Sequence, residues 1–174
     1  MHCAGKRLKH LAARLEVMFD GVRRSYALLA LMLMEVIEEQ GTDGGLEMLQ
    51  KAVEKQADII ARELRSRIPT GLSSLETGVE VYRRFMEDAG AEVAVHERGE
   101  GSVTFRVGHC PFFEAFLDIG VDCGYFLGGL CNHITLPAIQ ASLARFDPRL
   151  KLETKLVRQS AEEFCLERVY VDEG

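Results

Sequence analysis

The sequence lacks most of the signatures that would declare a chemistry outright. There is no Walker loop, no GxGxxG following a strand, no HExxH and no GxSxG. Those absences remove the commonest nucleotide-binding, metalloprotease and serine-hydrolase readings. Long hydrophobic runs are missing too. The most apolar stretch, Tyr26 to Ile37, is interrupted by Glu35, and a membrane span needs about 20 apolar residues. It reads as a buried helix. The opening residues have no apolar segment followed by a small-residue cleavage site, so the expected location is the cytoplasm. Positive charge is in deficit, with a net charge of -6. That argues against a nucleic-acid partner, which needs clustered Lys and Arg. The short basic clusters at Lys6-Arg7-Leu8-Lys9-His10 and Arg23-Arg24 read as solvated helix faces. Repeats, low-complexity tracts and linkers are absent. The cysteines number five, an odd count that does not pair off into disulfides. In a cytoplasmic protein they stay reduced, as packing residues, metal ligands or nucleophiles.

What is present is ordinary globular material: 174 residues, 47% apolar and 28% charged. That is enough chain for one domain with a real core. Residues 1–20 carry Leu8, Leu11, Leu15 and Met18 on one helical face. Val22 to Gln40 is a second helix, apolar nearly all round and therefore expected at the centre of the core. Gly41 ends it, and Thr42-Asp43-Gly44-Gly45 is a turn. Leu46 to Arg65 is a third helix. Ser73 and Glu76 form a capping-box pattern opening a fourth, which Gly90 closes.

From residue 92 the period becomes two. Glu92 to His96 and Ser102 to Val107 make a hairpin with Val103, Phe105 and Val107 on its buried face. Leu150 to Leu156 and Glu163 to Val171 make a second pair. The predicted fold is α+β: N-terminal helices plus a four-stranded, mostly antiparallel sheet of two hairpins joined by a helical segment. Residues 1–174 are taken as a single domain, with a helical part (1–90) and a hairpin-helix-helix-hairpin part (91–174).

The stretch from His109 to His133 is the densest in reactive groups, holding three of the five cysteines and two of the five histidines. Pro111 suits a first helical position, which places Cys110 at the N-cap. There the backbone N–H groups and the helix dipole favour thiolate over thiol. The alternative is a small packed residue, and the sequence leaves both open. Phe112, Phe113 and Phe116 are core or pocket wall; Glu114 is a surface charge or a pocket carboxylate. Asp122 reads as the N-cap of the next helix, with Cys123 in its first turn. Pro137 would kink or restart that helix.

Helix geometry restricts metal binding. Cys123 and Cys131 would lie roughly 12 Å apart on an unbroken helix. Cys131 and His133 would point about 200° apart. Cys110, Cys131 and Cys165, from three different elements, remain a candidate zinc or iron set, with Glu153, Glu163 or His109 as a fourth ligand. Alternation puts Cys165 on one strand face with Glu163, Glu167 and Val169.

The order of these features resembles the L-2-amino-thiazoline-4-carboxylic acid hydrolase-like family. The residues that carry the likeness are Cys110 in HCPFFEAFLDIG, Cys131 in LCNH and Cys165 in EEFCLERVYV. The chain departs from that pattern at Ser160-Ala161-Glu162-Glu163, where the family has a Gly-Asp type turn, and at Asn132-His133. The arrangement is also similar, more distantly, to the 4-vinyl reductase-like domain.

The resemblance implies a small-molecule hydrolase cleaving a cyclic C–N bond. Cys110 would be its nucleophile, and Cys131, Cys165 and His133 would complete the site. Phe112, Phe113, Phe116 and Phe126 would be its apolar walls. No cofactor is expected on that reading. The alternative is a ligand-binding or sensor domain with zinc or iron on Cys110, Cys131 and Cys165. A third reading makes the cysteines core residues and places the function in association. The expected partner is a small-molecule substrate or ligand, with no nucleic acid and no membrane, and a homodimer is open.

Overall fold

The computed structural model describes residues 2–120 and 131–173, with the side chains of the first helix described from Glu16 onward. The order is α1 (His2–Arg65), α2 (Ser74–Asp88), β1 (Val93–Gly99), β2 (Ser102–Val107), α3 (Pro111–Asp118), a π-helical turn (Cys131–Thr135), α4 (Leu136–Ala144), β3 (Leu150–Leu156) and β4 (Cys165–Val171). The α+β architecture expected from the sequence is what forms.

The three helices expected before residue 65 are one rod, broken once. Gly21 stays helical, since a single glycine in a helix costs only about 1 kcal/mol. Its neighbours Asp20 and Arg23 pair across it at 3.3 Å. The break is at Gly41, with φ 79° and ψ 163°, a conformation open to glycine and strained for other residues. No loop follows. Gly44 and Gly45 are already helical, and a Cβ on Gly45 would lie 2.6 Å from Ile37 Cγ1. The turn expected at 42–45 is therefore compressed into a kink. The first half of α1 buries Phe19, Ala30 and Leu33, and the second half buries Val53, Ala57, Ala61 and Leu64.

α2 starts where its capping box places it. Ser73 Oγ accepts from the Glu76 backbone N–H at 3.2 Å, and Glu76 Oε2 accepts from the Ser73 N–H at 3.0 Å. The sheet order is β1-β2-β4-β3, antiparallel throughout. In the β2–β4 register Val103 faces Val169, Phe105 faces Glu167 and Val107 faces Cys165. These residues share the face that the helices cover. α2 approaches that face closely at Gly78, where a Cβ would lie 2.5 Å from Leu150 Cδ2. The opposite face carries Arg106, Arg168 and Tyr170, with Arg168 donating to Glu153 at 3.0 Å. Pro137 restarts the chain as α4 after the π-helical turn. Arg145 at its end ties α4 to Glu54 and Asp58 of α1, at 2.7 and 2.6 Å. Among the described residues no helix is long and apolar enough to cross a membrane.

Candidate functional site

Cys110 does sit at the N-cap of α3, in extended conformation (φ -137°, ψ 113°), with Pro111 opening the helix. β2 delivers it there. Gly108 N–H donates to Glu92 O at 2.9 Å, and Glu92 N–H donates to His109 O at 2.8 Å, so the chain is held until the helix begins. The residue is only 7% exposed. Burial pushes the Cys110 thiol up to about 12, against the smaller opposing pull of the Phe113 and Phe112 backbone N–H groups. Neither forms a full capping hydrogen bond with the sulfur. The expected activation by the helix terminus is therefore overturned. A helix end stabilises an anion by about 0.3–1 kcal/mol, up to about 2 when partly buried, and desolvation of a thiolate in an apolar core outweighs that.

Cys131 opens the π-helical turn and Cys165 opens β4. All three thiols are free, and they converge. Burial raises the Cys131 thiol above its ordinary range, and the proximity of Cys110, Glu167 and Cys165 raises it further. Cys131 keeps some exposure as a residue, but its sulfur end is enclosed, and that end decides its chemistry.

The structure adds residues to which the sequence reading assigned no role. Glu167 lies two positions from Cys165 on the same inward strand face, and burial raises its carboxyl above the ordinary range. Tyr82 of α2 donates to Glu167 Oε2 at 2.7 Å and stacks on Phe105 at 4.5 Å. Tyr26 of α1 shares a 2.9 Å hydrogen bond with Thr135 and packs on Phe112 at 4.6 Å. Arg158, 1% exposed, donates through Nη2 to Val107 O at 2.6 Å and to Gly108 O, and lies over the Phe113 ring. Its Nε and Nη1 are buried without partners. Alternation along β4 was the signal for Glu167. Arg158 follows β3 in an irregular segment, where no period marks the inward direction.

The cluster is thus closed: the Cys110 and Cys131 thiols held protonated, a carboxyl pushed toward its neutral form, and one buried guanidinium. Among the described residues no group of three or more His, Cys, Asp or Glu is arranged to hold a metal ion. The zinc or iron reading of Cys110, Cys131 and Cys165 is corrected accordingly. Phe113 and Phe116 are fully buried core residues, and Phe112 borders a groove of about 310 Å³ with Tyr26, Ile60 and Phe85. Phe126 and Cys123 lie outside the described residues. His133 is exposed and lines a different groove, of about 500 Å³, with Gln50, Val53 and Pro137. His109 packs tilted against the Phe19 ring at 3.8 Å and lies 3.5 Å from Glu114. Both border an open, mainly acidic groove of about 540 Å³.

The surface departs from expectation on α1. The helix expected at the centre of the core is covered on one side only by the described residues. Its inner side packs Phe19, Tyr26, Ala30, Leu33 and Ile37 against the core. Its outer side leaves Leu28 60% and Met32 58% exposed, with Leu29, Leu31 and Val17 also open. The apolar pattern holds on both sides, but nothing in this chain's described residues covers the second side.

These features define a two-layer α+β fold with a closed thiol-rich core and, among the described residues, an apolar helix face that none of them covers. No protein-family model matches the sequence, and no curated protein matches it. Among solved structures the chain is similar to a trafficking protein particle complex subunit 3 from Naegleria fowleri, crystallised covalently bound to palmitic acid. The two share 15% identity with a TM-score of 0.51, over 86% of this chain and 96% of that one. A likeness at that identity concerns the fold. It corrects the expected hydrolase or 4-vinyl reductase-like function: the likeness found is to a trafficking complex subunit.

Proposed function

We propose that this protein is a subunit of a protein assembly, working in the cytoplasm and docking through the outer side of α1. The observation that carries the reading is the apolar side around Leu28 and Met32, which no described residue covers. A helix apolar all round belongs in an interior, and contiguous exposed apolar surface marks interaction sites. The free thiols fit a reducing compartment. The similar trafficking subunit is itself a component of a complex, as its name states.

The apolar gain is of the same order as the cost of association. Fully burying a Leu or Met side chain stabilises by about 1.5–3 kcal/mol. Covering what remains exposed of Leu28, Leu29, Leu31 and Met32 is worth about 1 kcal/mol each, or about 4 kcal/mol from this chain. A partner that contributes as much brings the gain to about 8 kcal/mol, within the ~4–15 kcal/mol that association costs. Further contacts at the rim then set the affinity.

Peroxide footprinting of Met32 tests the proposal, because an exposed methionine oxidises readily and a covered one does not. Met32 is expected to be protected in extract of the source cells, and exposed in a Leu28→Glu variant that melts like the wild type. Met32 reacting like a free methionine both in extract and in the concentrated purified protein would refute the docking surface.

A further inference from the structure

We infer that the partner on the outer side of α1 is a second copy of this chain, running antiparallel across a two-fold axis level with Leu29 and Ala30. The inference rests on the reading of α1 as a docking surface and adds the occupant and its register.

The argument is the order of side chains along the exposed side. Arg24, Leu28, Leu31 and Glu35 are all exposed. Their spacing is four, three and four. At about 100° per residue they fall within an arc of about 60°, so they form one stripe along the helix. The stripe reads cation, leucine, leucine, anion. Arg24 and Glu35 are equidistant from the point between Leu29 and Ala30, and so are Leu28 and Leu31. An antiparallel copy centred there places each Arg24 opposite the other copy's Glu35, and each Leu28 opposite the other's Leu31. A parallel copy in register would put Arg24 against Arg24 and Glu35 against Glu35. The sequence is thus self-complementary in one orientation only, as an isologous interface requires.

The ends of the stripe are open to such pairing. The neighbouring Arg23 is engaged, lying 3.3 Å from both Asp20 and Asp118. Among the described residues Arg24 and Glu35 have no ion pair. Complementary charges at the rim fix register and orientation, while the apolar centre supplies the contact. Glu38 and Glu39, beyond Glu35, reinforce the acidic end of the stripe. With Arg24 at the other end, they leave a charge asymmetry along α1 that an antiparallel partner neutralises.

Charge exchange tests this by sedimentation equilibrium at low salt, with wild type, Arg24→Glu, Glu35→Arg, the double exchange, and a one-to-one mixture of the two single variants. All the changes are on exposed positions, and equal melting temperatures confirm that each variant folds. Wild type is expected to dimerise. Each single variant should weaken the dimer about tenfold or more, since two like-charge contacts replace two attractive ones. The double exchange should restore it. The mixture should dimerise as well as wild type. In a mixed dimer one end keeps the native Arg24–Glu35 pair, and the other carries the same pair with its charges exchanged. A wild-type protein that stays monomeric at about 100 μM overturns the second copy as partner, whereas protection of Met32 in extract would keep the docking surface itself. A dimer that Leu28→Glu dissociates but that ignores the charge exchanges, or a mixture that does not recover, overturns the antiparallel register.

Discussion

The strongest quantitative expectation concerns Cys110. Alkylation requires the thiolate. With its thiol held at about 12 in place of the ordinary 9.0, the thiolate fraction at pH 8 is about 1 in 10⁴, against about 1 in 10 for a free cysteine. Iodoacetamide should therefore label Cys110 about 1,000-fold more slowly than a model thiol, before any further slowing by its burial. Mass mapping of the native protein over a time course at pH 8 measures this directly. The same peptide in 6–8 M urea, where the site is gone, should label at the ordinary rate. Cys131, raised by the same burial, should lag too. The sign for stability follows from linkage. Cys110's folded-state value is above its unfolded one, so its contribution is complete below pH 9 and disappears as pH rises to 12. That is a loss of about 4 kcal/mol at 1.36 kcal/mol per pH unit. Native labelling of Cys110 within tenfold of a free thiol would refute the closed core and with it the conclusion that burial outweighs the helix terminus.

Further perturbations probe the elements around that core. Tyr82→Phe removes the hydrogen bond drawn to buried Glu167 and should lower unfolding stability by about 1.5–3 kcal/mol by urea titration. An unchanged midpoint would mean that the pair contributes nothing. Because burial raises the Glu167 carboxyl, wild-type stability should decline as pH rises above the unfolded carboxylate value near 4.3. Glu167→Gln should flatten that decline, and an identical pH profile for the two proteins would contradict the assignment. Ser73→Ala should cost about 1 kcal/mol through loss of the α2 capping box, read as a lower thermal midpoint. Gly41→Ala forces a side chain into the φ 79° kink of α1. It should destabilise by about 1–3 kcal/mol; a stabilised variant would show that the kink is not needed to seat both halves of α1.

Much of the architecture was already written in local pattern. Period-two alternation located all four strands and grouped Cys165 with Glu167 and Val169 on one face of β4. The Ser73–Glu76 pair located the start of α2, and Pro111 located the start of α3 with Cys110 at its cap. Gly41 was recognisable as a helix end because its role is a backbone conformation that few other residues adopt. These features are legible because they depend on neighbours within a few residues: hydrogen bonds, φ/ψ limits and side-chain period.

Other properties depended on what comes to lie beside a residue from far along the chain. Local rules put a thiol at a helix N-terminus and lowered its pKa. Tertiary packing placed Phe112, Phe113 and the sheet around it and raised the pKa, because desolvation outweighs the field of one short helix. Helix periodicity recognised the apolar residues of α1 but could not say that the described residues would cover only one side. The convergence of Cys110, Cys131, Cys165, Glu167, Tyr82 and Arg158 joins positions up to 85 residues apart through sheet register and helix docking. Composition and spacing record which groups are present. Their ionisation and exposure are set by the surface removed from water, which exists only once the layers have packed.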